Sequence, residues 1–562
     1  MLSIQSVRSL ARFIPWLASI AITAIYLFEI NLGWAELDWR STELLLKTFL
    51  AHLYDWILFA FFLFLSLLGI RDLIQSKHAL LRNYPVIGHI RFLFENIRPE
   101  IRQYLIESDQ DDVPFSRNSR VLVYQRSKNL ADTQAFGSIE NEYREGYQWI
   151  NHSMAPVHHP SNDSLRITVG GSACSQPYSL SIFNISAMSF GALSANAIMA
   201  LNKGAKLGGF AHDTGEGSVS PYHERYGGDL IWEIGTGYFG CRTDDGKFDP
   251  VKFAATAQRS QIKMIEIKLS QGAKPGHGGL LPGNKVTPEI ALTRGIPVGK
   301  DCDSPAAHSA FNSPVGLMQF IAELRKLSGG KPVGFKLCVG NIQEWFSVIK
   351  AMLSTGIRPD FIVVDGSEGG TGAAPVEFTD HIGTPLREAL QLVNASLVGA
   401  GLRDQIRIGA SGKIISAFDI LRVCALGADW ANSARGFMFA LGCIQSRSCN
   451  TDRCPTGVAT QDPYRQHALD PMDKSVRVAN FHRNTVSAVG AVLGAAGLSH
   501  TREVTSDHIL QRGPMETVET LSLRMLKLPE GALLDDSGVA LLEQYAPGLG
   551  ARWLNATAAS WH

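Results

Sequence analysis

The chain has 562 residues, with 52 lysines and arginines against 52 aspartates and glutamates, and 53 glycines. A formal charge of zero excludes a general nucleic-acid binder, which needs a basic surface to meet phosphate. The length admits one large barrel with attachments or two or more domains, and the glycine content suits a loop-rich α/β catalytic domain.

The N-terminal part differs from the rest. Residues 13–28 are apolar apart from Ser19 and Thr23, and residues 56–70 are apolar apart from Ser66. The second stretch extends upstream through Phe49, Leu50, Ala51 and Leu53, past His52 and Asp55, and Glu29 sits at the end of the first. Each reaches about 20 residues, the length that crosses a bilayer. Trp16, Trp34, Trp39 and Tyr54 suit interfacial positions. A cleaved signal peptide is the alternative for the first stretch, but no small-residue cleavage site follows it and a second span does. Arg8 and Arg12 precede the first span, and Arg71, Lys77 and Arg82 follow the second, while the connector carries Glu36, Asp38 and Glu43 against Arg40 and Lys47. The lysine and arginine bias makes residues 1–75 a transmembrane hairpin in the cytoplasmic membrane, with the catalytic part in the cytosol. A reducing cytosol disfavours structural disulfides among the eight cysteines.

Residues 76–160 read as a connecting region. Residues 80–105 mix apolar and basic positions at helical spacing. Interleaved acidic residues favour packing on the catalytic domain over lying along the membrane surface. Asp109, Asp111 and Asp112 mark an exposed turn, and residues 121–124 read as a strand.

Residues 161–498 are rhythmic. Residues 180–185, 264–269, 333–339, 361–365, 406–409 and 429–433 read as strands. Residues 195–207, 314–327, 343–353, 385–400 and 416–426 read as helices. Such alternation means a parallel sheet, and its repeat number and length favour a closed (β/α)8 TIM barrel over an open sheet. No G-x-G-x-x-G opens a βαβ unit, so a Rossmann site is not supported. In a barrel of this kind the strand C-termini build the active site. Those ends carry residues 187–189, 212–216, 268–274, 365–372, 410–413 and 433–436.

The stretch at 264–283, MIEIKLSQGAKPGHGGLLPG, is the most informative. Lys268 lies in a strand that reads as buried, where a charge needs a partner or a ligand. Gln271, Lys274 and His277 then stand among five glycines and two prolines. Two lysines and an amide at one strand end suit an anionic or polarised ligand; the alternative is a solvated basic loop. Gly412, Lys413 and Arg435, at the last two strands, offer a cradle for a cofactor phosphate.

Cys443, Cys449 and Cys454 are spaced C-x5-C-x4-C and end in Cys-Pro. Three thiolates on a short loop can hold an iron–sulfur cluster, and three ligands fit a [3Fe–4S] form. Zinc normally takes a fourth protein ligand, for which His467 is the nearest candidate. The other cysteines, Cys174, Cys241, Cys302, Cys338 and Cys424, read as small buried hydrophobes. Residues 499–562 are expected to be a helical tail docked on the barrel, with amphipathic helices at 518–528 and 539–545.

Taken together, SAMSFGALS, DTGEG, KLSQGAKPGHGGLLPG, DGSEGGTGAAP, GASGK and ALGC-x5-C-x4-CP-x-G-x-ATQDP resemble the FMN-binding synthase domain of glutamate synthases over residues 185–497. The hairpin and the region to about residue 160 look like the membrane-attached, stand-alone members. The resemblance implies a TIM barrel holding FMN and a [3Fe–4S] cluster on Cys443, Cys449 and Cys454. It also implies reduction of an imine, from 2-oxoglutarate or a related 2-oxo acid, to an amino acid. By position, Ala187, Met188, Ser189, Lys268 and Gln271 would lie along the flavin. Gly369, Gly370, Thr371 and Gly372 would give it backbone contact, and Gly412, Lys413, Ala434 and Arg435 would lie near its phosphate. Glu216, Gln271, Lys274 and Arg294 would hold the substrate, with Glu216, Lys268 and Lys274 in catalytic roles. For Arg294 a surface ion pair is the alternative, and for Glu216 a helix cap or core ion pair.

The family pattern QGAKPGEGGQLPG has glutamate where this chain has His277 and glutamine where it has Leu280. No cysteine precedes Cys174, so the N-terminal nucleophile of a glutaminase domain is missing. Free ammonia, an amine donor or a separate glutaminase is therefore expected, with electrons from an external protein. The rival reading is a membrane-tethered flavin and iron–sulfur electron-transfer subunit without imine chemistry. A hydroxy-acid oxidase or isomerase barrel is a third, which the cysteine triad opposes.

Overall fold

The computed structural model describes residues 11–35, 42–76, 78–109 and 114–561. They fall into two compact units, Met1–Ser108 and Asp109–His562.

In the first unit, helices Ile14–Ala35 and Leu53–Ile74 are packed on each other. Both contain stretches long and apolar enough to cross a membrane by length and composition. Their contact is made by the residues that break the apolar pattern. Trp16 Nε1 donates to Ser66 O at 3.1 Å, and the Ser66 hydroxyl lies 3.1 Å from Ser19 Oγ and 3.2 Å from Thr23 Oγ1. A Cβ on Gly69 would stand 2.0 Å from the Trp16 ring, so only glycine admits the indole there. Leu17, Phe28, Phe61 and Phe64 point outward. Small and polar groups inside with large apolar groups outside is how helices pack in lipid. Arg8, Glu36, Asp38, Trp39, Arg40 and Lys77 lie outside the described residues.

The region read as helical at 80–105 forms helix Gly88–Ile101, continued by one π turn at Arg102–Ile106. Its start is tied to the end of the second long helix, because Asp72 Oδ2 accepts from Val86 N at 3.0 Å and His89 Nε2 lies 2.9 Å from both Asp72 oxygens.

The second unit is a closed barrel of eight parallel strands in sequence order. They are β1 (Phe183–Ile185), β2 (His212–Asp213), β3 (Leu230–Ile234), β4 (Ile262–Lys268), β5 (Val333–Leu337), β6 (Phe361–Asp365), β7 (Arg407–Ser411) and β8 (Trp430–Ser433), with β8 pairing back to β1. The barrel confirms the expected fold, and the intervening helices lie where periodicity puts them. Ser194, Ser313, Asn341 and Ser416 cap four of them through their side chains.

Three local readings are corrected. The strand read at 180–185 is two: Tyr178–Ser181 pairs antiparallel with Arg166–Val169, and the chain enters the barrel after Ile182. Ile167, Val169 and Leu180 of this ribbon pack on Ala211, Ile231, Met264, Phe361, Val363 and Trp430, sealing the barrel's N-terminal end. Residues 121–124 are helical, within Arg117–Ser127, because Ser116 caps the segment and Val123 is buried from a helical face. Residues 518–520 form a strand paired with Ile509–Arg512 in a three-stranded sheet, and 3-10 turns follow, so a helix over 518–528 does not form. The helix read at 539–545 lies within Asp536–Tyr545. Asp109 lies on an exposed turn, whereas Asp111 and Asp112 are outside the described residues.

Candidate active site

β4 ends on Lys268, whose ammonium meets Glu216 Oε1 at 3.1 Å. Glu216 follows β2 through the DTGEG turn, which Asp213 Oδ1 tightens by accepting from Gly215 N at 3.0 Å. A Cβ on Gly279 would stand 2.4 Å from Glu216 Oε1, so glycine there leaves room for the carboxylate. Burial works against the charge of Glu216. Lys268, Lys274 and Arg294 outweigh it and hold the carboxyl below its usual range. Burial brings the Lys274 ammonium down to about 8 against the pull of Glu216. Lys274 Nζ also donates to Ala373 O at 3.2 Å, in the loop after β6. His308 Nε2 lies 2.9 Å from Lys268 O, and its Nδ1 lies 3.0 Å from the Tyr238 hydroxyl, bracing this strand end.

Glu216, Lys268, Gln271 and Lys274 line one narrow pocket with Thr236, Ser270 and Ala306. Arg294 stands beside it rather than in its wall. Its Nη2 donates to Phe190 O at 3.0 Å and Ser189 Oγ at 3.3 Å, its guanidinium lies 5.2 Å over the Phe239 ring, and its buried Nε has no hydrogen-bond partner. His277 stacks edge-on with Phe378 at 5.0 Å.

The residues matched to the flavin lie at the same end of the barrel. Ala187, Met188 and Ser189 follow β1, and Gly369, Gly370, Thr371 and Gly372 follow β6. Gly412 and Lys413 follow β7, and Ala434 and Arg435 follow β8. Arg435 Nη2 donates to Glu368 O at 2.6 Å, and its guanidinium lies 4.7 Å over the Phe115 ring. The loops after β4 and β6 touch. Gly272 N donates to Asp365 Oδ2 at 2.8 Å, and a Cβ on Gly272 would stand 1.7 Å from Gly366 O.

The cysteine loop is strained. Gln445, Arg447 and Asp452 have φ values of 59°, 56° and 62°, in the left-handed region that non-glycine residues avoid. Burial lifts the Cys443 thiol to about 12, and Cys449 and Cys454 add to the rise, so the three sulfurs act on one another. Burial opposes a Cys454 thiolate, but the backbone N–H groups of Ala459, Thr456 and Val458 and the Thr456 hydroxyl bring it below the ordinary thiol value. The Tyr124 hydroxyl donates to Cys443 O at 2.7 Å, which ties helix Arg117–Ser127 to this loop.

Sequence reasoning missed Thr236, Ser270 and Ala306. Thr236 had a signal, since LIWEIGTG is an apolar strand running into glycines like its neighbours.

The chain matches the family model for the conserved region in glutamate synthase over residues 152–499. It is 38% identical over 486 residues to the glutamate synthase large subunit-like protein YerD of Bacillus subtilis (strain 168), covering 79% of this chain and 91% of that one. It is 37% identical over 330 residues to the archaeal glutamate synthase (NADPH) of Methanocaldococcus jannaschii, covering 58% of this chain and 61% of that one. The chain thus spans about three fifths of the archaeal relative's length. Among solved structures, mandelate oxidase is 13% identical with a TM-score of 0.39, covering 72% of this chain and 90% of that one. With most of the barrel matched by the family model and YerD covered nearly end to end, this chain belongs to the glutamate synthase family of oxidoreductases.

Proposed function

We propose that this chain reduces the imine of 2-oxoglutarate, or of a related 2-oxo acid, with ammonia or an amine as nitrogen donor. FMN would sit at the barrel mouth, and a partner protein would deliver electrons through a [3Fe–4S] cluster on Cys443, Cys449 and Cys454. The observation that carries this is the charge of the cavity. Lys268 and Lys274 line it with Glu216, two cations to one carboxylate, and Arg294 beside it adds to the positive field. That excess suits a dianionic oxo acid.

The donor sets fit both groups. Gly370 lies against Arg435, where a Cβ would stand 2.9 Å from Nε, a Cβ on Gly372 would meet open space, and three thiols share one strained loop. Among the described residues, Asp213, Glu233 and Glu266 form the one group of three His, Cys, Asp or Glu side chains with ligand atoms within 4.8 Å of one another, so the three cysteine sulfurs are spread wider than that. The cysteine spacing therefore supports a multi-iron cluster over a single zinc ion. When bound, FMN supplies hydride to the imine carbon and the cluster supplies electrons one at a time. Lys274, anchored on Ala373 O, is suited to give the proton that the nitrogen must take up, and Glu216 holds Lys268 in place. Arg294, whose Nη2 is committed to Phe190 O and Ser189 Oγ, would favour a substrate carboxylate through its charge. The apolar helix pair supports attachment to the cytoplasmic membrane.

The test is anaerobic reduction of the purified protein, followed by addition of 2-oxoglutarate with ammonia while flavin absorbance is read. Reoxidation is expected with a dicarboxylic oxo acid and much less with a monocarboxylic one. Protein purified natively without flavin would sink the reading. His277 and Leu280, which depart from the family pattern, favour the electron-transfer alternative. Under that alternative the flavin would stay reduced with every oxo acid tried.

A further inference from the structure

Lys285 belongs neither to the cavity nor to the cysteine motif, yet it is only 2% exposed. It ends the 3-10 turn Gly283–Lys285 and reaches between two loops. Its Nζ donates to Ala192 O at 2.9 Å, Cys449 O at 3.4 Å and Ala459 O at 3.4 Å. Three carbonyl acceptors use all three N–H donors of an ammonium, one more than a neutral amine has. Among the described residues, no carboxylate forms an ion pair with it. Asp452, Cys449 and Cys454 are the anionic groups within electrostatic reach.

The two loops carry the two redox groups of the reading above. Ala192 lies on the loop after β1, shared with Ala187, Met188 and Ser189, and Cys449 and Ala459 lie on the cysteine loop. Other bonds hold these loops together without Lys285. Gln461 Nε2 donates to Gly191 O at 3.0 Å and Leu193 O at 2.9 Å, and Ser194 N donates to Val458 O at 2.9 Å. Removing the lysine charge therefore leaves the loop junction in place.

We propose that Lys285 is a positioning residue that sets the reduction potential of the cysteine-bound cluster, by stabilising its electron-loaded state with a buried positive charge. The inference rests on the cluster reading above. Bound on Cys443, Cys449 and Cys454, such a cluster would accept one electron from the donor protein, which is oxidised, and pass it to the flavin, which is reduced; two such transfers would supply one imine reduction. Each added electron makes the thiolate-bound cluster more negative, and a nearby buried cation is weakly screened. Cluster potentials respond to net charge and hydrogen bonding in this way.

The test is an EPR-monitored redox titration of the full chain. Lys285→Met is expected to shift the one-electron equilibrium at least tenfold toward the oxidised cluster, a potential about 59 mV lower. Lys285→Arg is expected to keep the potential near that of the parent, with flavin content the same in all. Lys285→Gln, also neutral, carries the test if Lys285→Met does not fold. A parent chain without the EPR signal of an oxidised three-iron cluster would remove the cluster reading and this proposal together. A normal signal whose potential stays put in the neutral variants would remove this proposal alone.

Discussion

The two ends of the barrel use the same eight strands and opposite chemistry. At the N-terminal end, Trp430, Phe361, Met264 and Ile231 meet the ribbon residues Ile167, Val169 and Leu180, and the charges just before β6 and β8 are neutralised in pairs, Asp360 with Arg325 and Asp429 with Arg403. At the C-terminal end, Lys268, Lys274, Arg294 and Glu216 are held close together among glycines. Between them lies a layer in which Lys336 bonds Glu233 and lies 3.4 Å from Glu266 Oε1. Burial, then Glu233, lifts Asp213 in that layer to about 7, and burial, then Asp213, raises Glu266. One end therefore stabilises by removing apolar surface from water, and the other spends that stability on concentrated charge.

The largest expected effect is at the mouth. Lys274→Met should lower turnover by about 10²–10⁴-fold, the range of a lost general acid. Stability should hold or rise, because a buried charge is gone. Single-turnover flavin reoxidation alongside urea denaturation would show it, and a parallel loss of both would break the division between the ends. Next, Phe361→Ala at the sealed end should cost about 3–5 kcal/mol of stability with little change in reoxidation rate below the unfolding transition. A rate loss in protein that is still folded would mean that the ends are coupled. Gly272→Ala should cost about 1–3 kcal/mol through overpacking and weaken oxo-acid binding, since the added methyl collides with Gly366 O. Unchanged binding would show that these loops open freely.

The smallest effect sharpens the contrast through pH. Lys274 titrates at about 8, so kcat/KM should fall as pH rises through that value, and Lys274→Arg should flatten the alkaline limb. Stability should move the other way. Above about 8 the folded chain lets this proton go while the unfolded chain keeps it, so the Lys274 contribution to stability grows toward the ordinary lysine value. An activity profile without a break near 8 would remove Lys274 as the proton donor.

Much of this was legible in the sequence, and the failures share a cause. Six strands stood out because each runs from apolar residues into glycine or a polar loop. β2 has two residues, too few for any period, whereas β3 carries the same run from apolar residues into glycine and was passed over. The sequence singles out none of Glu233, Glu266 and Lys336, because only barrel closure brings them together. At 121–124 a β-branched run outweighed a serine cap five residues upstream. Arg294 was chosen on its chemistry, but chemistry does not give direction, and its Nη2 is committed to Phe190 O and Ser189 Oγ. Lys285 gave no signal, because a lone lysine after a proline–glycine pair looks like ordinary surface.

The ribbon at the foot of the barrel has a consequence for traffic. With that end stoppered, an oxo acid reacting over Lys268 as proposed would have to leave by the doorway through which it came in. Spent product and fresh reactant then contend for one passage, so the amino acid formed should inhibit competitively against the oxo acid.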